Sequence, residues 1–175
     1  MLRGIPNCLS PDLLKVLAEM GHGDTLVIGD AFYPSASSAR HSMLVRADGV
    51  RATELLDAIL HFFPLDASVK APVLIMDKQE CDKDIPTPIW EEYRQIVRRH
   101  DPRGDDCIGM IERFDFYKAA EHAYAVVATG ETALYGCIIL QKVLCNSLQD
   151  KLAANRVSLN YFMYKCIKRG YRPII

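Results

Sequence analysis

Met20-Gly21-His22-Gly23-Asp24-Thr25-Leu26-Val27-Ile28-Gly29-Asp30-Ala31-Phe32-Tyr33-Pro34 is the stretch around which the chain is organised. Leu26, Val27 and Ile28 form a short apolar run of the kind a buried strand uses. His22, held between two glycines, sits just before that strand, and glycine's open dihedral space lets both neighbours place the imidazole on a sharp corner. Carboxylates follow at Asp24 and Asp30. A strand of this length separates its ends by roughly 15 Å at about 3.3 Å per residue. If His22 and Asp30 serve one small ligand, either the loop folds back or the two residues come from different subunits.

Outward from this stretch the chain alternates helices with short apolar strands. Upstream, Ser10-Pro11-Asp12 supplies an N-cap, a first-turn proline and a favourable charge, and Leu13, Leu14, Leu17 and Met20 recur at helical spacing. Downstream, Tyr33 to Ala39 reads as loop, Met43 to Arg46 as a short strand, and Leu55, Leu56, Ile59, Leu60 and Phe63 as one helix face closed by Pro64. A strand at Pro72 to Met76, a polar loop from Asp77 to Ile85 and a helix opened by Thr87-Pro88 come next. A strand over Ile108 to Ile111, a helix over Phe114 to His122, and strands at Ala125 to Ala128 and Leu134 to Leu140 around the turn Thr129-Gly130-Glu131 complete the pattern. The fold class is α/β, a single domain whose sheet is covered by helices on both faces.

Composition narrows the function classes. The 175 residues are 50% hydrophobic and 25% charged, with a formal net charge of −1, which describes one ordinary globular domain. The segment from 143 to 175 has six basic residues against Asp150 alone, so the body is acidic and offers no basic face for nucleic acid. Leu148, Leu152, Leu159 and Met163 fit one helical face of that segment while Tyr161, Phe162 and Tyr164 do not, leaving a docked helix or a disordered basic tail. The cysteines at 8, 81, 107, 137, 145 and 166 show neither a C-x-x-C pair nor metal spacing, so reduced thiols are expected and no metal. Neither a signal region nor an apolar run of membrane length is visible, and the cytoplasm is the expected location.

Four features carry potential chemistry, each with a structural alternative. His22 on its glycine corner is a working group or a solvent-exposed turn residue. Asp30 at the end of a buried strand is a ligand contact or a cap on the following loop. Phe114 and Tyr117 in Glu112-Arg113-Phe114-Asp115-Phe116-Tyr117 lie one helical turn apart, and core packing explains such a stripe equally well. Tyr135-Gly136-Cys137 allows close backbone approach to a ligand, or marks a bulge. Nucleophile elbow, P-loop, dinucleotide and zinc signatures are absent. Histidine, aspartate and tyrosine without a cofactor motif suit proton transfer to and from hydroxyls, and tyrosine rings suit the apolar face of a sugar.

The motifs L-S-P-D-L-L-K-V-L-A-E-M-G-H-G-D, R-A-D-G, F-P-L-D, T-P-I-W, E-R-F-D-F-Y and A-V-V-A-T-G-E-T-A-L-Y-G occur in order from about Arg3 to Lys142. Together they resemble the fucose mutarotase branch of the ribose pyranase and fucose mutarotase family, in its animal form. The resemblance implies a domain over residues 1–142 with a divergent basic tail over 143–175. It implies a cofactor-free isomerase that interconverts the α and β anomers of L-fucose, with pyranose/furanose exchange of the ribose pyranase type as the alternative. It also implies self-association, with the monosaccharide site at a subunit interface. Carried over position by position, the proton donor falls on His22 and the second catalytic residue on Tyr117. Substrate contacts fall on Asp30, Asp66, Tyr117, Tyr135, Gly136 and Cys137. Two departures stand out: Cys137 replaces an asparagine, and Asp30-Ala31-Phe32-Tyr33-Pro34 lacks the asparagine of the family's D-x-N-F-P. A catalytically impaired sugar-binding protein is the reading those departures favour.

Overall fold

A computed structural model describes residues 3–143. The helix or disorder expected of the basic tail lies outside the described residues. Helix α1, Pro11–Glu19, starts where Ser10 Oγ accepts the Leu13 N–H at 3.1 Å and Pro11 occupies a position that needs no donor. Its Leu13, Val16 and Leu17 are buried. The Lys142 ammonium closes the far end, donating to the carbonyls of Leu17 and Met20 at 2.7 Å each.

Strand β1, Thr25–Gly29, is central, which is why Leu26, Val27 and Ile28 are all fully buried. Strand β5, Ala125–Thr129, lies parallel to it on one side, and β6, Ile138–Gln141, antiparallel on the other. Strand β2, Met43–Ala47, extends the sheet beyond β5, while β3, Val73–Met76, and β4, Ile108–Ile111, extend it beyond β6. The order is β2-β5-β1-β6-β3-β4, and β6 alone runs against its neighbours.

The two-residue alternation along the strands divides the core into two layers. Leu26, Ile28, Val73, Ile75, Ile138 and Leu140 pack on one face with α1 and two further helices, α3 (Ala52–Leu60) and α4 (Pro88–His100). Val27, Met76, Val126 and Ile139 face the other way, toward Phe116 and Ala120 of α5, Arg113–Glu121. Both faces are therefore covered, as the alternation of elements predicts.

Two local expectations are corrected. Pro34, with φ −74°, sets up a single helical turn, α2 (Ser35–Ser38), where the small-residue run predicts loop: the Ser38 N–H donates to the Pro34 carbonyl at 2.9 Å. The last strand begins at Ile138 instead of Leu134, because Tyr135 takes φ 56°, a left-handed conformation incompatible with a strand.

The reversed direction of β6 is what places the chemistry. Its entry, Cys137, meets the exit of β1 at Asp30, and its exit, Gln141, pairs with Thr25 at the entry of β1. One end of the sheet thus gathers Asp30, Tyr135 and Cys137, and the opposite end gathers the His22 corner.

Candidate active site

At the first end lies a cavity of about 320 Å³. Asp30, Tyr117, Tyr135 and Cys137, four of the residues expected from the sequence, line it together with Tyr33, Met76, Asp82 and Arg113. This is the carboxyl end of β1 and β3, where open α/β sheets characteristically bind ligands.

Asp30 is 7% exposed. Its Oδ1 accepts the Phe32 N–H at 3.0 Å and its Oδ2 the Cys137 thiol at 3.3 Å. Burial raises its pKa, the thiol and backbone donors only partly offsetting this. Desolvation and the neighbouring Asp30 charge push the Cys137 thiol well up, so it serves as a weak neutral donor and not as a thiolate. Asp30 is both things its sequence position allows: a cap on the following loop and a wall of the cavity.

The aromatic stripe on α5 divides its labour. Glu112 caps the helix, accepting from the N–H groups of Phe114 at 2.7 Å and Asp115 at 3.2 Å. Phe116 is the core residue, Phe114 is exposed, and Tyr117 turns to the cavity. Arg113, one turn earlier, donates from Nε to the Tyr117 hydroxyl at 2.9 Å, and its guanidinium carbon lies 5.6 Å from the ring centroid. The core-packing explanation of the Phe114 and Tyr117 stripe therefore fails for exposed Phe114 and holds only in part for Tyr117, which packs against the core and also lines the cavity; the fully buried aromatic is Phe116 between them. Nearby Tyr33, whose ring centroid is 5.7 Å from that of Tyr117, has its hydroxyl pushed up to about 12 by burial and keeps its proton near neutrality.

Tyr135 reaches the cavity because its backbone is held in a left-handed turn. Trp90 Nε1 donates to the Tyr135 carbonyl at 3.0 Å, and the Tyr93 hydroxyl to the Gly136 carbonyl at 2.6 Å. Gly136 is required by close approach: a Cβ there would stand 2.9 Å from the Ala133 carbonyl oxygen. It works as the pivot between two lining residues and is not itself part of the wall. The Tyr135 hydroxyl donates to Asp82, a residue of the polar loop after β3.

The second group of expected residues sits at the other end. His22 lies on the corner after α1, where Gly23 takes φ 83°. Gly21 does not use a left-handed conformation; its N–H donates to Asp24 Oδ2 at 2.6 Å. The His22 side chain is 49% exposed, and its Nδ1 is 4.0 Å from Oδ2 of Asp66, which is 1% exposed. Asp66 Oδ1 accepts the Ser68 N–H at 2.8 Å and its hydroxyl at 2.7 Å, while Gln141 Nε2 donates to Oδ2 at 3.3 Å. Burial pushes the Asp66 carboxyl up, but the Ser68 donors and the nearby His22 and Arg103 outweigh it and leave the pKa below the ordinary carboxylate value. Neither His22 nor Asp66 lines the cavity.

The sequence reading missed Arg113, Asp82 and Tyr33. Arg113 was accessible in principle, four residues before Tyr117 on a helix; Asp82 lies in a loop with no periodicity to mark it. Among the described residues no group of three or more His, Cys, Asp or Glu side chains is placed to hold a metal ion, and no helix is long and apolar enough to cross a membrane.

Residues 3–144 match the model of the RbsD / FucU transport protein family. The human protein named fucose mutarotase is 46% identical over 147 residues, covering 81% of this chain and 92% of its own. Among solved structures, FucU from Bifidobacterium longum superposes with a TM-score of 0.79 at 48% identity, covering 81% of this chain and 99% of its own. The fucose mutarotase of Streptococcus pneumoniae in complex with L-fucose gives 0.76 at 49% identity, covering 82% and 99%. With the family model matched over most of the chain and these relatives similar over nearly their whole length, this chain belongs to the RbsD / FucU transport protein family.

Proposed function

We propose that the chain is an isomerase that speeds exchange between the α and β anomers of L-fucose without a cofactor. Mutarotation needs one proton removed from the anomeric hydroxyl and one delivered to the ring oxygen; the ring opens, the carbonyl turns and reclosure gives the other anomer. Two positioned acid–base groups perform both transfers without a covalent intermediate. Tyr117 is one and His22 the other, a phenol and an imidazole both carrying atoms that can donate and accept a proton. Asp30 binds sugar hydroxyls, and the ring of Tyr135 packs on an apolar sugar face. Asp66, with its oxygens engaged by Ser68 and Gln141, orients His22 Nδ1 and leaves Nε2 for the substrate. The single observation that carries this reading is the convergence of Asp30 and the Arg113-backed Tyr117 on one sugar-sized cavity.

His22 and Tyr117 do not share that cavity within one chain. Self-association resolves this, with the His22 corner of one copy closing the cavity of its neighbour. The domain at 1–142 carries this chemistry, the basic segment 143–175 is an appendage, and the protein acts in the cytoplasm. Magnetisation-transfer NMR between the anomeric protons of L-fucose tests the activity: the protein increases the exchange rate, and a rate equal to that in buffer ends the proposal.

A weakened sugar-binding protein is the second reading, favoured by one observation. The Cys137 thiol already spends its hydrogen on Asp30 and has none left for a sugar. Ribose exchange by ring-size change is distinguished by running the same NMR measurement with D-ribose.

A further inference from the structure

The two tyrosines of the cavity have opposite hydrogen-bond polarity. Arg113 has donors only, so the Tyr117 oxygen accepts from it and the phenol keeps its own hydrogen to give. Tyr135 has committed its hydrogen to Asp82 Oδ2, and the Gln79 N–H approaches its oxygen at 3.5 Å. Gln79 serves both sides, because its Oε1 also accepts from Arg113 Nη1 at 3.2 Å. The loop that carries Gln79 and Asp82 is pinned across its base, where Lys78 Nζ donates to the carbonyls of Lys83 at 2.8 Å and Ile85 at 2.9 Å.

We propose that Asp82 is a positioning residue for substrate recognition, acting through Tyr135. It captures the Tyr135 hydroxyl hydrogen and holds the ring flat against the cavity as an acceptor and stacking wall. The task of donating to the sugar is thereby left to Tyr117. Tyr135 needs an external restraint because its backbone at φ 56° is one that bulky side chains rarely adopt. The Trp90 and Tyr93 bonds fix the main chain, and Asp82 fixes the far end of the side chain. A substrate group facing Tyr135 must then offer a hydrogen or an apolar face, a selection against acceptors at that position.

This role rests on the mutarotase reading, and a double-mutant cycle separates the two. The wild type, D82A, D82N, Y135F and D82A/Y135F are compared for kcat and KM of L-fucose anomer exchange and for thermal midpoint. D82A is expected to raise KM by about tenfold, the size of one lost binding hydrogen bond, with kcat nearly unchanged. D82N, whose amide oxygen still accepts from the phenol, recovers most of that loss, and D82A adds nothing to Y135F. A D82A effect that persists in full in the Y135F background, or D82N as impaired as D82A, overturns the proposal. Wild-type protein without exchange activity removes the reading of function itself and this role with it.

Discussion

The thiol of Cys137 donates to Oδ2 of Asp30 across 3.3 Å, joining the entry of β6 to the exit of β1 inside the cavity. The bond commits the one hydrogen that the Cys137 side chain has to give. Replacing Cys137 by asparagine supplies an acceptor and two donors in that place. C137N is therefore predicted to lower KM for L-fucose by about tenfold, about 1.4 kcal/mol, within the range of a hydrogen bond regained, with little change in kcat. An unchanged or higher KM in a folded variant would show that the thiol is not what limits binding.

Asp30 carries a stability cost of its own. Its folded pKa lies above the ordinary 3.8, burial being the chief cause, so the folded chain holds this proton to higher pH than the unfolded chain. Ionising it as pH rises through the folded value therefore works against folding. D30N is predicted to melt at a higher temperature than the wild type near neutral pH, with the difference shrinking as pH falls through the folded value and gone below 3.8, the ordinary value, while anomer exchange falls. Melting curves across pH decide this; a D30N protein less stable at neutrality contradicts the assignment.

Arg113 backs the hydroxyl of Tyr117 and, through Gln79, the loop opposite. R113A removes both supports. The rate constant is expected to drop by about 100-fold, the lower range of acid–base catalysis, with a smaller change in KM. Steady-state kinetics showing an intact kcat would mean that Tyr117 needs no such partner.

Much of the architecture could be read from the chain because the physics was local. Ser10-Pro11 marks a helix start, Leu26-Val27-Ile28 a buried strand, and both appear where expected. The error in the last strand falls where a distant contact overrides local pattern. Leu134 to Cys137 looks like strand by its apolar residues, yet Trp90 and Tyr93, some 45 residues earlier, hold that backbone in a left-handed turn. The site was partly legible: Asp30, Tyr117, Tyr135 and Cys137 do meet. That Gly136 is a pivot and that Asp66 lies beneath His22 follow only from the antiparallel return of β6, which no residue pattern announces. Asp82 depends on a loop folding back to Tyr135, equally silent in the sequence.

His22 of one copy and Tyr117 of another act on one sugar in the proposed mechanism, and a complementation experiment tests that pairing directly. H22Q and Y117F, each purified and inactive in anomer exchange, are mixed under conditions shown to scramble subunits. If every site draws one residue from each of two copies, equal mixing restores about a quarter of wild-type activity, since both functional residues coincide at random in that fraction of shared interfaces. Scrambled mixtures that stay as inactive as the separate variants would contradict the shared site.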